Sequence, residues 1–402
     1  MIANEFGVIS LAALFSVPLV VIGFELLLAL LHKESIDELD DNIGINSAYT
    51  ILMPAHNEAS IIAITLGKLL KQKALAKSIV VVADNCTDKT AEIAQRLGVT
   101  VLERFNNKQK GKGFALDYGL NYLKTTQPPE VLIILDADCE IDSHSLKYLF
   151  KKCIQQSTPF QSLYLMRQGR NASLKQRVAG FAWLVKNKLR PIAVNKLGLA
   201  VTLTGTGMAF PWSVIADINI AHGNIVEDMQ LGIDCTLKGF APVFCEQAIV
   251  YSDFPEQSEA ETTQRTRWEH GHLMTITQQV PKLMKQALIR RDWRLLGLAL
   301  DIGVPPLALL VMLSLFGLVF FAGMAHFMGH YAAFFMFSSS FIFFSSMIML
   351  TWWRYGRDYL TLQELCSIPV YIVSKLSIYV SFIFKRQKTW VRTSRGANDK
   401  RK

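Results

Sequence analysis

The sequence predicts an α/β protein held in a membrane: a doubly wound domain with a mostly parallel twisted sheet, accompanied by transmembrane and interfacial α-helices. Three observations predict it. Short apolar, β-branched runs alternate with segments of helical period between residues 47 and 280, the pattern of buried parallel strands and their crossover helices. Two stretches outside that region, 8–31 and 302–353, are longer and more apolar than a soluble domain needs,. Composition agrees, because 51% of the 402 residues are hydrophobic and only 19% charged, where soluble domains carry about a quarter charged residues.

The first element expected is an anchor within residues 1–46. Its apolar stretch is interrupted only by Glu25, begins after Glu5 and lacks a basic leader, so it reads as an uncleaved span and not as a secretory signal,. Glu25 lies in its later third, where a carboxylate is expected to snorkel or pair with a neighbouring helix.

The domain over 47–280 follows. Its clearest strands are 49–53, 79–82 and 131–135. Doubly wound sheets bind ligands at the carboxyl ends of their strands, and these three end in Pro54-Ala55-His56-Asn57-Glu58, Ala83-Asp84-Asn85-Cys86-Thr87-Asp88 and Asp136-Ala137-Asp138. Two aspartates at i and i+2 leaving a buried strand can hold a hard divalent cation whose remaining positions phosphates complete. Lys110-Gly111-Lys112-Gly113 opens a helix and offers N–H groups and lysine charge to a phosphate,. Gly205-Thr206-Gly207 would let backbone approach a ligand closely,. Glu227-Asp228 starts a helical segment, where an acid also simply suits the dipole,. Gln264, Arg267 and Trp268, three and four apart, put an amide, a guanidinium and an indole on one helical face,. His270 and His272 lack carboxylate-rich neighbours in sequence and read as packing residues,.

Residues 281–301 mix Lys282, Lys285, Arg290, Arg291 and Arg294 with leucines and Trp293, as an interfacial helix does,. The uncharged stretch 302–353 is expected to form a hairpin of two spans, 302–327 and 331–353, turning at Met328-Gly329-His330,. Within 354–402, residues 366–384 carry Lys375 at their centre. A span there would cost about 2.5–3.5 kcal/mol, and Ser367, Ser374, Ser377 and Ser381 share a stripe, so a second interfacial helix is expected,.

Net charge is +9, but residues 385–402 hold eight basic residues against Asp399 alone, leaving only +2 for the rest of the chain. A nucleic-acid interface is therefore excluded, and the tail marks the cytoplasmic side, shared with the large domain. Six cysteines without CxxC pairs argue for reduced, small apolar residues and no disulfide framework,. Three spans without an inverted repeat argue against a transporter.

Pro54-Ala55-x-Asn57-Glu58, the Asp84 segment, Asp136-x-Asp138, Glu227-Asp228 and Gln264-x-x-Arg267-Trp268 stand in the order found in membrane-bound family 2 glycosyltransferases. This chain resembles that group, the cellulose, hyaluronan, chitin and poly-N-acetylglucosamine synthases, over about 47–272 and the flanking helices. Val226 stands where cellulose synthases carry threonine, and the Gln-x-x-Arg-Trp signature also occurs in proteins similar to ceramide glucosyltransferase. The resemblance implies a GT-A fold, a Mg or Mn cation and inverting transfer from a nucleotide-sugar donor, UDP-linked, to a growing polysaccharide or to a lipid-linked acceptor. It implies donor contacts from Pro54, Asn57, Glu58, Asp84, Lys112, Asp136 and Arg267, and a metal on Asp138. Acceptor contacts would come from Gly205, Thr206, Glu227, Gln264 and Trp268, and Asp228 would be the general base. The setting implied is a bacterial inner membrane. Three spans are few for a polymer channel, so processive synthesis would call for a partner subunit or homo-oligomer.

Overall fold

The computed structural model describes residues 2–33, 49–72, 76–169, 172–254, 258–374, 379, 381 and 382. In chain order these form α1 (Ile2–Leu30), β1 (Tyr49–Ala55), α2 (Ile62–Lys71), β2 (Ile79–Asp84), α3 (Thr90–Arg96), β3 (Thr100–Arg104), α4 (Lys112–Thr125) and β4 (Val131–Ile134). Then come β5 (Glu140–Ile141), α5 (Ser143–Gln156), β6 (Phe160–Arg167), α6 (Leu174–Leu184), a π-helical stretch (Val185–Leu189), α7 (Arg190–Lys196), β7 (Met208–Pro211), α8 (Trp212–Ile215) and α9 (Glu227–Leu237). The chain continues through β8 (Val243–Asp253), α10 (Ser258–Arg290), α11 (Trp293–Gly303), α12 (Leu307–Met328), α13 (Tyr331–Thr351), a second π-helical stretch (Trp352–Gly356) and α14 (Leu362–Ser374).

Two compact units result. Among the described residues, one gathers those within 49–169 and 198–271, and the other those within 2–33, 172–197 and 272–382. The region 47–280, expected as one domain, is therefore interrupted: 170–197 and 272–280 group with the apolar helices. Nothing in local pattern announces that excursion, because α6 and α7 look like ordinary crossover helices in sequence.

The first unit is built on an eight-stranded sheet of order β3-β2-β1-β4-β7-β6-β8-β5. β2, β1 and β4 lie parallel, as does β3 on β2. β7 then inserts antiparallel between β4 and β6, and β8 runs parallel to β6, so the sheet is mixed but mostly parallel. Burial explains the strands: every residue of β2 and β4 is buried, so both faces must be apolar. One face is covered by Leu116, Leu120 and Leu123 of α4 and Leu231 and Cys235 of α9, packed on Leu52, Val80, Val82, Leu132 and Ile134. Each such aliphatic side chain contributes about 1.5–3 kcal/mol. A methyl at Gly119 would run into Leu52, so α4 sits directly on β1. This parallel packing brings the carboxyl ends of β1, β2 and β4 to one edge.

Among the described residues, the second unit contains three helices long and apolar enough to cross a membrane, over residues 5–30, 307–328 and 331–356. The expected hairpin turn is present, with Gly329 left-handed at φ +75°. Its first helix starts at Leu307 and not at residue 302, because Pro305-Pro306 removes two backbone donors and Val304 is extended,. Small residues allow close packing: Gly317 faces the Phe337 ring and Gly23 the Phe343 ring.

Residues 281–301, expected as one interfacial helix, are shared by two elements. Pro281 stays inside α10, costing it one N–H bond,. The break falls at Arg291, left-handed at φ +51°, after which Asp292 caps α11 by accepting from Arg294 N at 2.9 Å. The last described helix begins four residues before the expected 366, held by a reciprocal cap between Thr361 and Glu364,. Lys375 and the basic tail over 385–402 lie outside the described residues.

The later third of α1 meets the expectation that Glu25 pairs with a neighbouring helix. Arg190 Nε donates to Glu25 Oε2 at 2.6 Å, and its Nη2 donates to Asp301 Oδ1 at 2.6 Å and to the Asp301 carbonyl at 2.8 Å. All three residues are buried. Next to them, His272 Nε2 lies 2.9 Å from the Ile302 carbonyl. Burial, then the charge of Lys186, pushes this imidazole down to about 3, so it stays neutral, consistent with its reading as a packing residue.

Candidate active site

The loops after β1 and β2 are stitched to each other. Asn57 and Asn85 are left-handed at φ +56° and +50°, a conformation asparagine tolerates better than most residues. The Asn57 side-chain oxygen accepts from Thr87 N at 2.7 Å and Asp88 N at 3.3 Å, and its own N–H reaches Cys86 Sγ. Glu58 N donates to Thr90 Oγ1 at 2.8 Å. Asn57 thus ties the loop after β1 to the loop after β2. Pro54 stays within β1, opposite Val82.

Asp84 is the acid this loop presents, and it is paired. Arg104 Nη1 donates to its Oδ1 at 2.6 Å with both side chains below 10% exposure, and Asn85 Nδ2 reaches the same oxygen at 3.0 Å. Arg104 also holds the Gln109 carbonyl at 2.9 Å. Sequence reasoning missed Arg104 because β3, Thr100–Arg104, is mostly half-buried and lacks a continuous apolar run. A basic residue ending a strand beside an acidic strand end was the available signal.

A second cluster forms where β4, α4, the 204–207 turn and α9 converge. Lys112 is its centre. Its Nζ forms an ion pair with Asp136 and donates to the Gly205 carbonyl at 2.7 Å. Burial acts to lower the Lys112 pKa, but the charges of Asp136, Glu227 and Asp228 outweigh it and hold the ammonium above its ordinary range. Gly205, at φ +91°, places its α-carbon so that a Cβ would lie 3.2 Å from Asp228 Oδ2 and 3.6 Å from Lys112 Nζ. Asp228 Oδ1 accepts from Met229 N at 2.8 Å, fixing its carboxylate at the start of α9. Burial, then the Asp228 charge, pushes the Glu227 carboxyl up to about 7.

Thr206, expected to contact acceptor, is 1% exposed; its hydroxyl accepts from Asp136 N at 3.1 Å. It supports the aspartates from behind. Gln264 is likewise buried, whereas Arg267 and Trp268 are half-buried. Arg267 lies close enough for its charge to act on Glu227. A Cβ at Gly271 would meet Val226 Cγ1 at 2.6 Å, so this end of α10 packs on the residues that lead into Glu227.

Asp136, Asp138 and Cys139 bring ligand atoms within 4.8 Å of one another. Burial, then the charges of Asp138 and Asp136, raises the Cys139 thiol well above its usual value, so this group stays protonated and the donor set is carboxylate oxygen. That chemistry fits a hard cation such as Mg or Mn and not zinc.

Comparison with known proteins follows this geometry. The family described as Glycosyltransferase like family 2 matches residues 47–271, more than half of the chain. The poly-beta-1,6-N-acetyl-D-glucosamine synthase of Staphylococcus aureus is 24% identical over 238 residues, 58% of this chain and 56% of that protein. An uncharacterized protein of Methanocaldococcus jannaschii is 40% identical over 88 residues, 22% of this chain and 34% of its own. The chain thus spans about a third to a little over half the length of these curated relatives. Among solved structures, the mannosyltransferase PcManGT of Pyrobaculum calidifontis, in complex with GDP-Man and Mn2+, superposes with a TM-score of 0.50 at 16% identity, covering 87% of this chain and 99% of that one. The likeness is one of fold, a GT-A sheet, and with the family match it places this chain in glycosyltransferase family 2.

Proposed function

We propose that the protein is an integral membrane, metal-dependent, inverting glycosyltransferase that moves a sugar from a UDP-linked donor to a growing polysaccharide. The observation that carries this reading is the cluster in which Lys112 touches both Asp136 and the Gly205 carbonyl while Asp228 faces the same glycine. It sets a carboxylate base against a cationic, phosphate-binding edge.

In this mechanism Asp228 takes the proton of the acceptor hydroxyl as its oxygen attacks the anomeric carbon. The bond from that carbon to the diphosphate oxygen breaks, the nucleoside diphosphate leaves with the electron pair, and configuration inverts. A positioned base contributes about 10²–10⁴-fold. Asp228 is the acid suited to it, because Asp136 is engaged by Lys112 and Glu227 keeps its proton up to about pH 7. Lys112 and Arg267 offer cations to the diphosphate, Asp84 and Arg104 hydrogen-bonding groups to the base, and Trp268 an apolar face to the acceptor sugar. Asp136 and Asp138 would hold a divalent cation, which would offset charge on the leaving group.

The membrane reading is supported by the three apolar helices and by the corner between α10 and α11. There Leu288, Ile289 and Trp293 are 73%, 65% and 57% exposed beside Arg290, Arg291 and Arg294, the amphipathic chemistry of an anionic lipid surface. Transfer to a single lipid-linked acceptor is the second reading, favoured because only three candidate spans occur among the described residues. Purified protein in nanodiscs, given labelled UDP- and GDP-sugars, tests the first: a polymer ladder from a UDP-sugar is expected, and one discrete lipid product would select the second. Asp228→Asn should lose at least ~10²-fold in turnover while binding nucleotide normally; full activity in that variant would remove the base assignment.

A further inference from the structure

One buried amide outside every motif governs the turn on which this cluster is assembled. Gln161 lies on β6, is 1% exposed and stands opposite Met208 of β7. Its Nε2 donates to the Ser162 carbonyl at 2.9 Å and to the Thr206 carbonyl at 3.0 Å, and its Oε1 accepts from Thr204 N at 2.8 Å. Both amide hydrogens and the amide oxygen are thus used, two of the three bonds going to the 204–206 turn. Gly205 and Thr206 of that turn each meet a working group. The Gly205 carbonyl accepts from Lys112 Nζ, a Cβ added to Gly205 would lie 3.2 Å from Asp228 Oδ2, and Thr206 Oγ1 accepts from Asp136 N. Gly207, at φ +62°, closes the turn by accepting from Ser162 N at 2.9 Å.

We propose that Gln161 is a positioning residue for sugar transfer, fixing through the 204–206 turn the spacing of Lys112, Asp136 and Asp228. The proposal rests on the glycosyltransfer reading above. Its physical basis is that Gly205 and Gly207, at φ +91° and +62°, have no side chains to restrict them, so the turn is held by bonds from around it, two of them from Gln161. A displacement of about 1 Å at reacting groups costs roughly 10²-fold in rate. Contact with the nucleoside base depends on the separate Asp84–Arg104 edge and is expected to be spared.

The test compares wild type with Gln161→Leu, which removes all three bonds, and Gln161→Glu. The glutamate keeps the acceptor for Thr204 N but sets oxygen against the Ser162 and Thr206 carbonyls. Both variants, as full chain in nanodiscs, should lose about 10- to 100-fold in kcat. The affinity for uridine alone, read by calorimetry, should change less than about threefold. Thr206→Val should lose rate too, and the double variant Gln161→Leu/Thr206→Val should fall short of the product of the single losses, since both act through one turn. Wild-type kcat in either Gln161 variant overturns the proposal, as does a uridine affinity that worsens in step with kcat, or strict multiplicativity. If Gln161→Leu does not fold, Gln161→Glu and Thr206→Val still decide it by the same split. Asp228→Asn runs alongside: were it fully active, the underlying reading would fall, whereas an inactive Asp228→Asn beside an undisturbed Gln161→Leu refutes the Gln161 assignment alone.

Discussion

The buried group of Glu25, Arg190 and Asp301 makes the sharpest quantitative prediction. One guanidinium serves two carboxylates at 2.6 Å each, and the side chains of Arg190, Glu25 and Asp301 are 10%, 7% and 12% exposed. Replacing Arg190 with methionine keeps much of the volume but leaves two carboxylates facing each other out of water, a loss of about 3–5 kcal/mol. Glu25→Gln instead leaves Arg190 balanced by Asp301 and forfeits one charge-assisted hydrogen bond, about 1–3 kcal/mol. At roughly 2–4 °C per kcal/mol, Arg190→Met should lower the unfolding midpoint by about 6–20 °C and Glu25→Gln by distinctly less. Combining Glu25→Gln, Arg190→Met and Asp301→Asn removes every charge and should recover a large part of the loss. Thermal unfolding of detergent-purified protein, followed by intrinsic fluorescence, reads all three. If Glu25→Gln proves as damaging as Arg190→Met, or the triple variant stays as unstable as Arg190→Met, desolvated charge is not what holds these helices.

Three further outcomes follow from the site. Because the Glu227 carboxyl is raised from 4.5 to about 7 in the folded chain, the native state binds the extra proton and stability should fall as pH rises through that window; Glu227→Gln should flatten the slope of unfolding midpoint against pH. Gly205→Ala forces a Cβ at φ +91° to within 3.2 Å of Asp228 Oδ2, costing about 1–3 kcal/mol of backbone strain; turnover should drop at least ~10-fold with uridine affinity unchanged in calorimetry. Chelation by EDTA should silence transfer and Mn2+ restore it, and Asp138→Asn should weaken Mn2+ binding by at least ~10-fold, which titration calorimetry with the metal alone would show.

What could be read from sequence divides along physical lines. β1, β2 and β4 are buried on both faces, so they appear as unbroken apolar runs, and the acids that end them stand out by contrast. β3 and β7 do not: β3 is half-buried over Thr100–Leu102 and then turns to the charged Glu103-Arg104, and β7 is only four residues long, so the antiparallel insertion and Arg104 escaped notice. Gln161 was invisible because its importance lies in partners 43 and 45 positions away. Helix stops behaved unevenly. Pro305-Pro306 ended a helix where the hydropathy pattern ran on, while Pro281 did not end one, since a single missing donor within a 33-residue helix is tolerable,. The excursion of 170–197 into the helical unit is a tertiary choice that periodicity alone cannot record.

Lys112 has a consequence for the interval between turnovers. Once nucleotide departs, four acids, Asp136, Asp138, Glu227 and Asp228, remain near one another, and a diffusible counter-ion would leave with the product. A cation fixed to the backbone cannot be washed out. On the proposed mechanism the vacant pocket therefore keeps one counter-charge beside Asp136 at any ionic strength, which does not have to be recruited again for each incoming donor.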